Sequence, residues 1–198
     1  MKKLNAKIID ALVENGYIII ENAFGDDFAT KLKRFAQKEK DFKRAGISQK
    51  DKLHVDDNRR RDKIHWLNNN TACQKEFLEF TKELKQDLNK ELFLGLRYYE
   101  AHFAIYNKGD FYETHFDNFK GSKNRVVTTV YYLNDNWKEG DGGEIIIYDK
   151  HYMQLAKIPP KSDTLIVFLS EEFPHEVLPS NTKRYSIAGW FRVDKISS

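Results

Sequence analysis

Arg125-Val126-Val127-Thr128-Thr129-Val130-Tyr131-Tyr132-Leu133 is an unbroken run of β-branched, aromatic and aliphatic residues behind one arginine, a composition that favours a strand. Six more short stretches share that texture. Tyr98 to Tyr106 precedes it, and Glu144 to Tyr148, Leu155 to Ile158, Thr164 to Phe168, Glu176 to Leu178 and Tyr185 to Val193 follow. Turn signals separate them at Asn107-Lys108-Gly109-Asp110, Asp141-Gly142-Gly143, Pro159-Pro160 and Pro179-Ser180-Asn181. Many short strands at even spacing predict a sandwich or barrel.

Upstream of Gly95 the texture is helical. Leu4, Ile8, Ile9, Leu12 and Val13 recur at helical spacing before a stop at Gly16, and Tyr17-Ile18-Ile19-Ile20 reads as a buried strand. A second helix is predicted from Asp26 to Phe42, with Phe28, Leu32 and Phe35 on one face, and a third from Thr71 to Leu92, with Phe77, Phe80, Leu84 and Leu88 inward. Between them, Arg44 to Arg61 is polar and predicts a long loop of the kind that serves as a lid, and Ile64-His65-Trp66-Leu67 predicts a strand. The helices are expected to pack against the outside of the barrel, in one domain without a linker.

Composition narrows the function. The 198 residues are 40% hydrophobic and 32% charged with four Pro and ten Gly, which excludes collagenous, low-complexity and wholly disordered chains. Aromatic residues reach 14%, so rings build much of the core or a pocket. Cys73 is the single cysteine and rules out an internal disulfide or a cysteine-built metal cluster. The start is amphipathic, without a signal peptide or membrane span, and a reduced cytosolic setting is the simplest fit. Lys and Arg number 33 against 30 Asp and Glu, too even to argue for nucleic acid. The basic groups Lys31, Lys33, Arg34, Lys38 and Lys40, and Arg59, Arg60, Arg61 and Lys63, are interleaved with acids and read as solvated faces or loop.

The chemistry gathers late in the chain. In His115-Phe116-Asp117, strand alternation puts an imidazole and a carboxylate on one face, where they can share a cation. His175, in Phe173-Pro174-His175-Glu176-Val177, offers a third ligand, and two histidines with one carboxylate form the facial set of non-haem iron(II) oxygenases. Arg184 follows nine positions later, and a guanidinium can clamp a carboxylate with two parallel hydrogen bonds. Singly, each of these is an ordinary core, turn or strand-edge residue; jointly they point to a metal site. His54, His65, His102 and His151 lack such pairing and read as structural or exposed.

The region from about Arg59 to Arg192 resembles the 2-oxoglutarate- and iron(II)-dependent oxygenases, and within them the prolyl 4-hydroxylase group, especially the oxygen-sensing protein prolyl hydroxylases and their bacterial relatives. The resemblance rests on Arg61-Asp62-Lys63-Ile64-His65-Trp66, Tyr106 to Asp117, Arg125 to Trp137, Gly142-Gly143-Glu144, His175 to Pro179 and Arg184 to Phe191, in one order. It implies a mainly β fold with α, a double-stranded β-helix (jelly-roll barrel) buttressed by N-terminal helices. Residues 1–95 would supply helical support and a mobile loop at about 44–61, and 96–198 the barrel, in one oxygenase domain over 1–198.

By similarity, His115, Asp117 and His175 hold Fe(II) and carry catalysis through it. Arg184 and Tyr132 bind the distal carboxylate of 2-oxoglutarate, and Tyr106, Trp190, Val130, Ile145 and Val177 line its pocket. Arg125 lies near the substrate. Cosubstrates are 2-oxoglutarate and O₂, with ascorbate as a supporting reductant. The implied partner is a protein or peptide containing proline, with no nucleic acid and no membrane. Nucleic-acid demethylases of the superfamily carry a second Arg six positions after the first, where this chain has Trp190. The loop at 44–61 shares little with the oxygen sensors, and the Tyr106 to His115 segment is one residue shorter. Two other functions fit the same residues: this chemistry on another side chain, a free amino acid or a small metabolite, and a barrel that binds metal or ligand without turnover.

Overall fold

A computed structural model describes residues 2–49, 52–118 and 124–194, with side chains described outside 47–54; the reading of His54 thus lies outside the described residues. The amphipathic start forms α1 (Lys2–Asn15), which buries Asn5, Ile8, Ile9 and Leu12 and stops at Gly16. Val13, expected inward, is 69% exposed, because the inner face stops one residue short of it. After β1 (Tyr17–Ile20) comes α2 (Asp26–Lys38), which buries Phe28, Ala29, Leu32 and Ala36. It ends four residues earlier than predicted. The Glu39 carboxylate accepts the backbone N–H groups of Lys40 and Asp41 at 2.7 and 2.8 Å, so that carboxylate rather than another helical turn takes them.

The stretch predicted as a polar loop carries strands instead. β2 (Lys43–Arg44) pairs antiparallel with β5 (Lys63–Trp66), and β3 (Ile47–Gln49) with β4 (Lys52–His54) makes a hairpin between them. Backbone pairing at a sheet edge needs no apolar side chains, so composition did not signal it. α3 (Ala72–Leu92) starts at Thr71, whose hydroxyl accepts from Gln74 N, and ends at Phe93 in the left-handed region.

The remaining strands are β6 (Tyr98–Tyr106), β7 (Tyr112–His115), β8 (Arg125–Tyr132), β9 (Ile145–Tyr148), β10 (Gln154–Ile158), β11 (Leu165–Leu169), β12 (His175–Val177) and β13 (Arg184–Arg192). They form a seven-stranded sheet, β1-β11-β8-β13-β6-β5-β2, facing a four-stranded sheet, β10-β9-β12-β7. This is the jelly-roll pair of antiparallel sheets, with helices on one outer face. Three strands of the large sheet come from the first 95 residues, and β1 and β2 are its two edges.

Alternation along the three middle strands of the large sheet separates two interiors. Phe103 of β6, Val127 and Tyr131 of β8, and Tyr185, Ile187 and Phe191 of β13 pack with Ile8, Leu32, Phe77 and Leu84 of the helices. Their even-numbered neighbours face the other sheet, where Val130 and Tyr132 meet Ile145, Ile147 and Phe173. Gly189 is required on β13 because a Cβ there would lie 2.1 Å from the Tyr99 hydroxyl, which itself bonds Thr129 Oγ1 at 2.7 Å.

Asp163 ties the helical layer to the barrel. Its carboxylate accepts the N–H groups of Phe24 and Gly25 at 2.8 and 2.7 Å, just ahead of α2, and the buried Tyr131 hydroxyl at 2.7 Å. Replacing Asp163 by Ala removes a helix-entry acceptor and strands a buried phenol. Urea denaturation of Asp163→Ala is expected to show a loss of about 3 kcal/mol, and a loss under about 1 kcal/mol would assign the anchoring elsewhere.

Candidate functional site

The cavity opens between the two sheets, with a volume of about 570 Å³, within the range of small-ligand sites. Its floor is made by His115, the last residue of β7, Asp117 two residues on, and His175, the first residue of β12. The antiparallel register sets His175 directly opposite His115. Residues 60 positions apart in the sequence are thereby made neighbours. One ligand atom from each of His115, Asp117 and His175 lies within 4.8 Å of the others, a spacing that one cation can bridge.

The protonation pattern suits a metal. His115 Nδ1 lies 2.8 Å from the Glu113 carbonyl and His175 Nδ1 3.1 Å from the Phe173 carbonyl. Since a carbonyl only accepts, each Nδ1 carries a hydrogen, which leaves Nε2 as the nitrogen available to a metal. Those Nε2 atoms are 3.7 and 3.5 Å from the Asp117 oxygens. Burial, with His115 adding to it, pushes His175 down to about 4, so the ring is neutral and ready to ligate. Burial alone would raise the Asp117 carboxyl, but His175, His115 and Arg125 together outweigh it and hold it below the usual carboxylate range. Asp117 Oδ2 accepts from Thr128 Oγ1 at 2.8 Å, and Thr128 meets Ser170 Oγ at 2.8 Å. That leaves Oδ1 as the oxygen available to a metal.

Arg184, at the start of β13, is 3% exposed and has no ion-pair partner among the described residues. Its Nη1 donates to Ser186 Oγ at 3.1 Å, and its guanidinium carbon sits 4.7 Å from the Tyr106 ring and 4.8 Å from the Tyr132 ring. Room for it depends on Gly143 (φ 74), where a Cβ would press on Arg184 Cδ at 2.8 Å. Arg184 Nε, Tyr132 OH and Trp190 Nε1 are all buried without a hydrogen-bond partner. A buried polar atom of this kind is costly unless a ligand pairs with it, and Arg184 and Tyr132 offer two side by side. Of the residues expected at the site, Tyr106, Arg125, Val130, Ile145, Val177, Arg184 and Trp190 line the cavity, while Tyr132 packs behind Arg184.

Scanned against protein families, residues 101–192 match the 2OG-Fe(II) oxygenase superfamily. A crystal structure of a Pseudomonas putida prolyl-4-hydroxylase is similar at TM-score 0.85 and 33% identity, over 96% of this chain and 99% of that one. The chain belongs to the 2OG-Fe(II) oxygenase superfamily. A prolyl hydroxylase from Trichoplax adhaerens, solved with a hypoxia inducible factor oxygen degradation domain peptide fragment, superposes at TM-score 0.83 and 27% identity, covering 96% of this chain and 90% of that one. The hypoxia-inducible factor prolyl hydroxylase of Caenorhabditis elegans is 30% identical over 93% of this chain, which spans only 27% of that protein. Human prolyl hydroxylase EGLN3 is 35% identical over 75% of this chain and 62% of its own length. The donor set, two imidazoles and a carboxylate, fits the family's Fe(II), and the unpaired cation fits an anionic cosubstrate such as 2-oxoglutarate.

Several cavity residues gave no sequence signal. Arg60, read as solvated, is drawn inside, where its Nε and Nη2 donate to the two Asp62 oxygens at 2.6 and 2.9 Å and its guanidinium lies 4.5 Å from the Tyr112 ring. Burial opposes both charges, yet their attraction raises Arg60 and lowers Asp62. Backbone bonds from Arg61 N to Phe111 O and from Glu113 N to Arg59 O close the barrel here. His65 and His102, read as structural or exposed, line the cavity, His102 lying between Trp66 and Trp190 at 5.3 and 5.4 Å. Only their even or odd place on a strand could have hinted at it.

Burial pushes His102 down to about 3, against an ordinary value near 6.5. Between those values the unfolded chain holds a proton that the folded chain lacks, so stability is full above about pH 6.5 and falls as pH drops towards 3. In urea titrations of the metal-free protein, His102 is expected to account for about 3 kcal/mol lost between pH 7 and pH 4. His102→Gln should flatten the profile by that amount; an unchanged slope would show that the ring protonates freely in the fold.

Proposed function

We propose that the chain is a 2-oxoglutarate- and Fe(II)-dependent dioxygenase that hydroxylates proline in a protein or peptide. The observation that carries this reading is the buried, unpaired Arg184 guanidinium sharing a cavity with the His115, Asp117 and His175 donors. A cosubstrate with a metal-chelating keto acid at one end and a second carboxylate at the other answers both features. Fe(II), when bound, supplies O₂ activation coupled to decarboxylation of 2-oxoglutarate to succinate and CO₂, with hydroxylation of a C–H bond.

The chain's own residues have defined tasks. His115, Asp117 and His175 hold the metal, and Thr128 fixes which Asp117 oxygen faces it. Arg184 receives the distal carboxylate, with the Tyr132 hydroxyl as a further donor whose ionisation burial resists. Val130, Ile145 and Val177 exclude water along the cosubstrate, and Tyr106 and Trp190 close its flanks. Arg125 and the rim residues Lys43, Arg44 and Val55 face the incoming substrate. The names of the relatives favour proline. Ascorbate would keep the iron reduced. The lone Cys73 and the lack, among described residues, of a helix able to cross a membrane are consistent with a cytoplasmic site of action.

Purified protein with Fe(II) and 2-oxoglutarate should form succinate, and Asp117→Ala or His175→Ala should abolish it. Normal turnover in Asp117→Ala would mean that another carboxylate holds the metal. Arg184→Gln is expected to raise KM for 2-oxoglutarate by about 10- to 100-fold, without lowering the metal-free protein's melting temperature, since it removes a buried charge that has no partner. Mass spectrometry of proline-centred peptides, including the hypoxia inducible factor fragment, should show a gain of one oxygen on proline. Succinate formation with no peptide modified would retain the oxygenase and discard proline.

A further inference from the structure

The row of cavity-facing positions on β6 and β13 continues past the residues already assigned. Trp190 stands opposite Glu100 in the antiparallel register, and Arg192 opposite Tyr98. On the neighbouring strand, Arg125 pairs with Arg192 across a register shift. The Glu100 carboxylate therefore lies among two guanidiniums at the end of the cavity wall. Its Oε1 accepts from Arg192 Nη1 at 2.7 Å and from Arg125 Nη2 and Nε at 3.1 and 3.3 Å.

We propose that Glu100 is a positioning residue for the substrate wall: its carboxylate holds the Arg125 guanidinium flat over the Trp190 ring, and Arg192 holds Glu100. This rests on the oxygenase reading above. The Arg125 guanidinium carbon is 3.8 Å from the Trp190 ring centroid, a face-on cation–π contact. Its Nη1 has only a long 3.4 Å contact to the Asp117 carbonyl, so two of its nitrogens are anchored and one edge remains to meet a substrate carbonyl. Arg125, Glu100 and Arg192 side chains are 20%, 11% and 7% exposed. Two cations crowded into so little solvent need the carboxylate between them; without it their mutual repulsion drives the more exposed Arg125 off the indole.

Two readouts test this. In a Trp66→Phe/Trp137→Phe background, Trp190 is the sole tryptophan, and acrylamide quenching of its fluorescence reports whether Arg125 covers it. Glu100→Gln should raise the quenching constant roughly twofold, matching Arg125→Ala, and the double variant should go no further than Arg125→Ala alone. In the otherwise wild-type enzyme, Glu100→Gln should raise KM for the hypoxia inducible factor peptide about tenfold or more, with peptide-independent succinate formation changed by less than about twofold. If Glu100→Gln does not fold, Glu100→Asp, which keeps the charge but draws it back by one methylene, should move quenching the same way and less. A folded variant with unchanged quenching, or effects that add in the double variant, overturns the proposal. A wild type that forms succinate but leaves the peptide untouched counts against proline alone, and the quenching result still decides Glu100.

Discussion

The arrangement depends on the parity of three adjacent strands. On β6, on β13 and on β8 beyond the register shift at its start, odd-numbered side chains face the helices and even-numbered ones face the second sheet. His102, Ala104 and Tyr106, Thr128 and Val130, and Arg184, Ser186, Ala188 and Trp190 thereby become one wall. A slip of one residue would turn Arg184 and Trp190 towards Ile8 and Phe77 and bring Phe191 and Ile187 into the cavity. The apolar packing of the odd face is what forbids that slip. Core formation and site assembly are thus the same event on opposite sides of one sheet.

Electrostatics in the cavity follow a consistent division. Arg60 is paired within the chain with Asp62 and Arg192 with Glu100, and Glu100 also holds Arg125, which keeps one edge towards the cavity. Groups offered to ligands are left without partners, as with Arg184 Nε, Tyr132 OH and Trp190 Nε1. The Nδ1 atoms of the two metal-facing imidazoles are held by backbone carbonyls, so strand geometry decides which nitrogen faces the cavity. An unpaired buried cation destabilises the empty fold and raises affinity for the anion that neutralises it.

Much of this was legible beforehand where local pattern and tertiary role coincide. The eight-residue strand β8, the apolar faces of α1 and α3, the His115-x-Asp117 spacing and the Arg184 run all obey simple periodicities. Failures cluster where pairing is made by backbone or by distant charge. Arg44 to Arg61 looks like loop because edge strands tolerate polar side chains. Arg60 looks solvated because its partner, although only two residues away, becomes buried when Phe111 and Arg61 pair across the barrel's open side. Glu100 and His102 carry no motif; their place beside Trp190 comes from the register of β6 against β13.

What the chain determined on its own is a matter of spacing: which residues can share a strand face, where helices stop, and which donors are chemically able to hold a metal and a dicarboxylate. These depend on nearest neighbours along the backbone, whose geometry has periods of 2 and 3.6 residues. Which of those donors meet was decided by the packed fold. His115 and His175 become opposite partners only when β7 and β12 pair within the small sheet, and Glu100 reaches Arg125 only across β13. Contacts between residues far apart in sequence follow from strand register, and register follows from burying one whole face of a sheet at once.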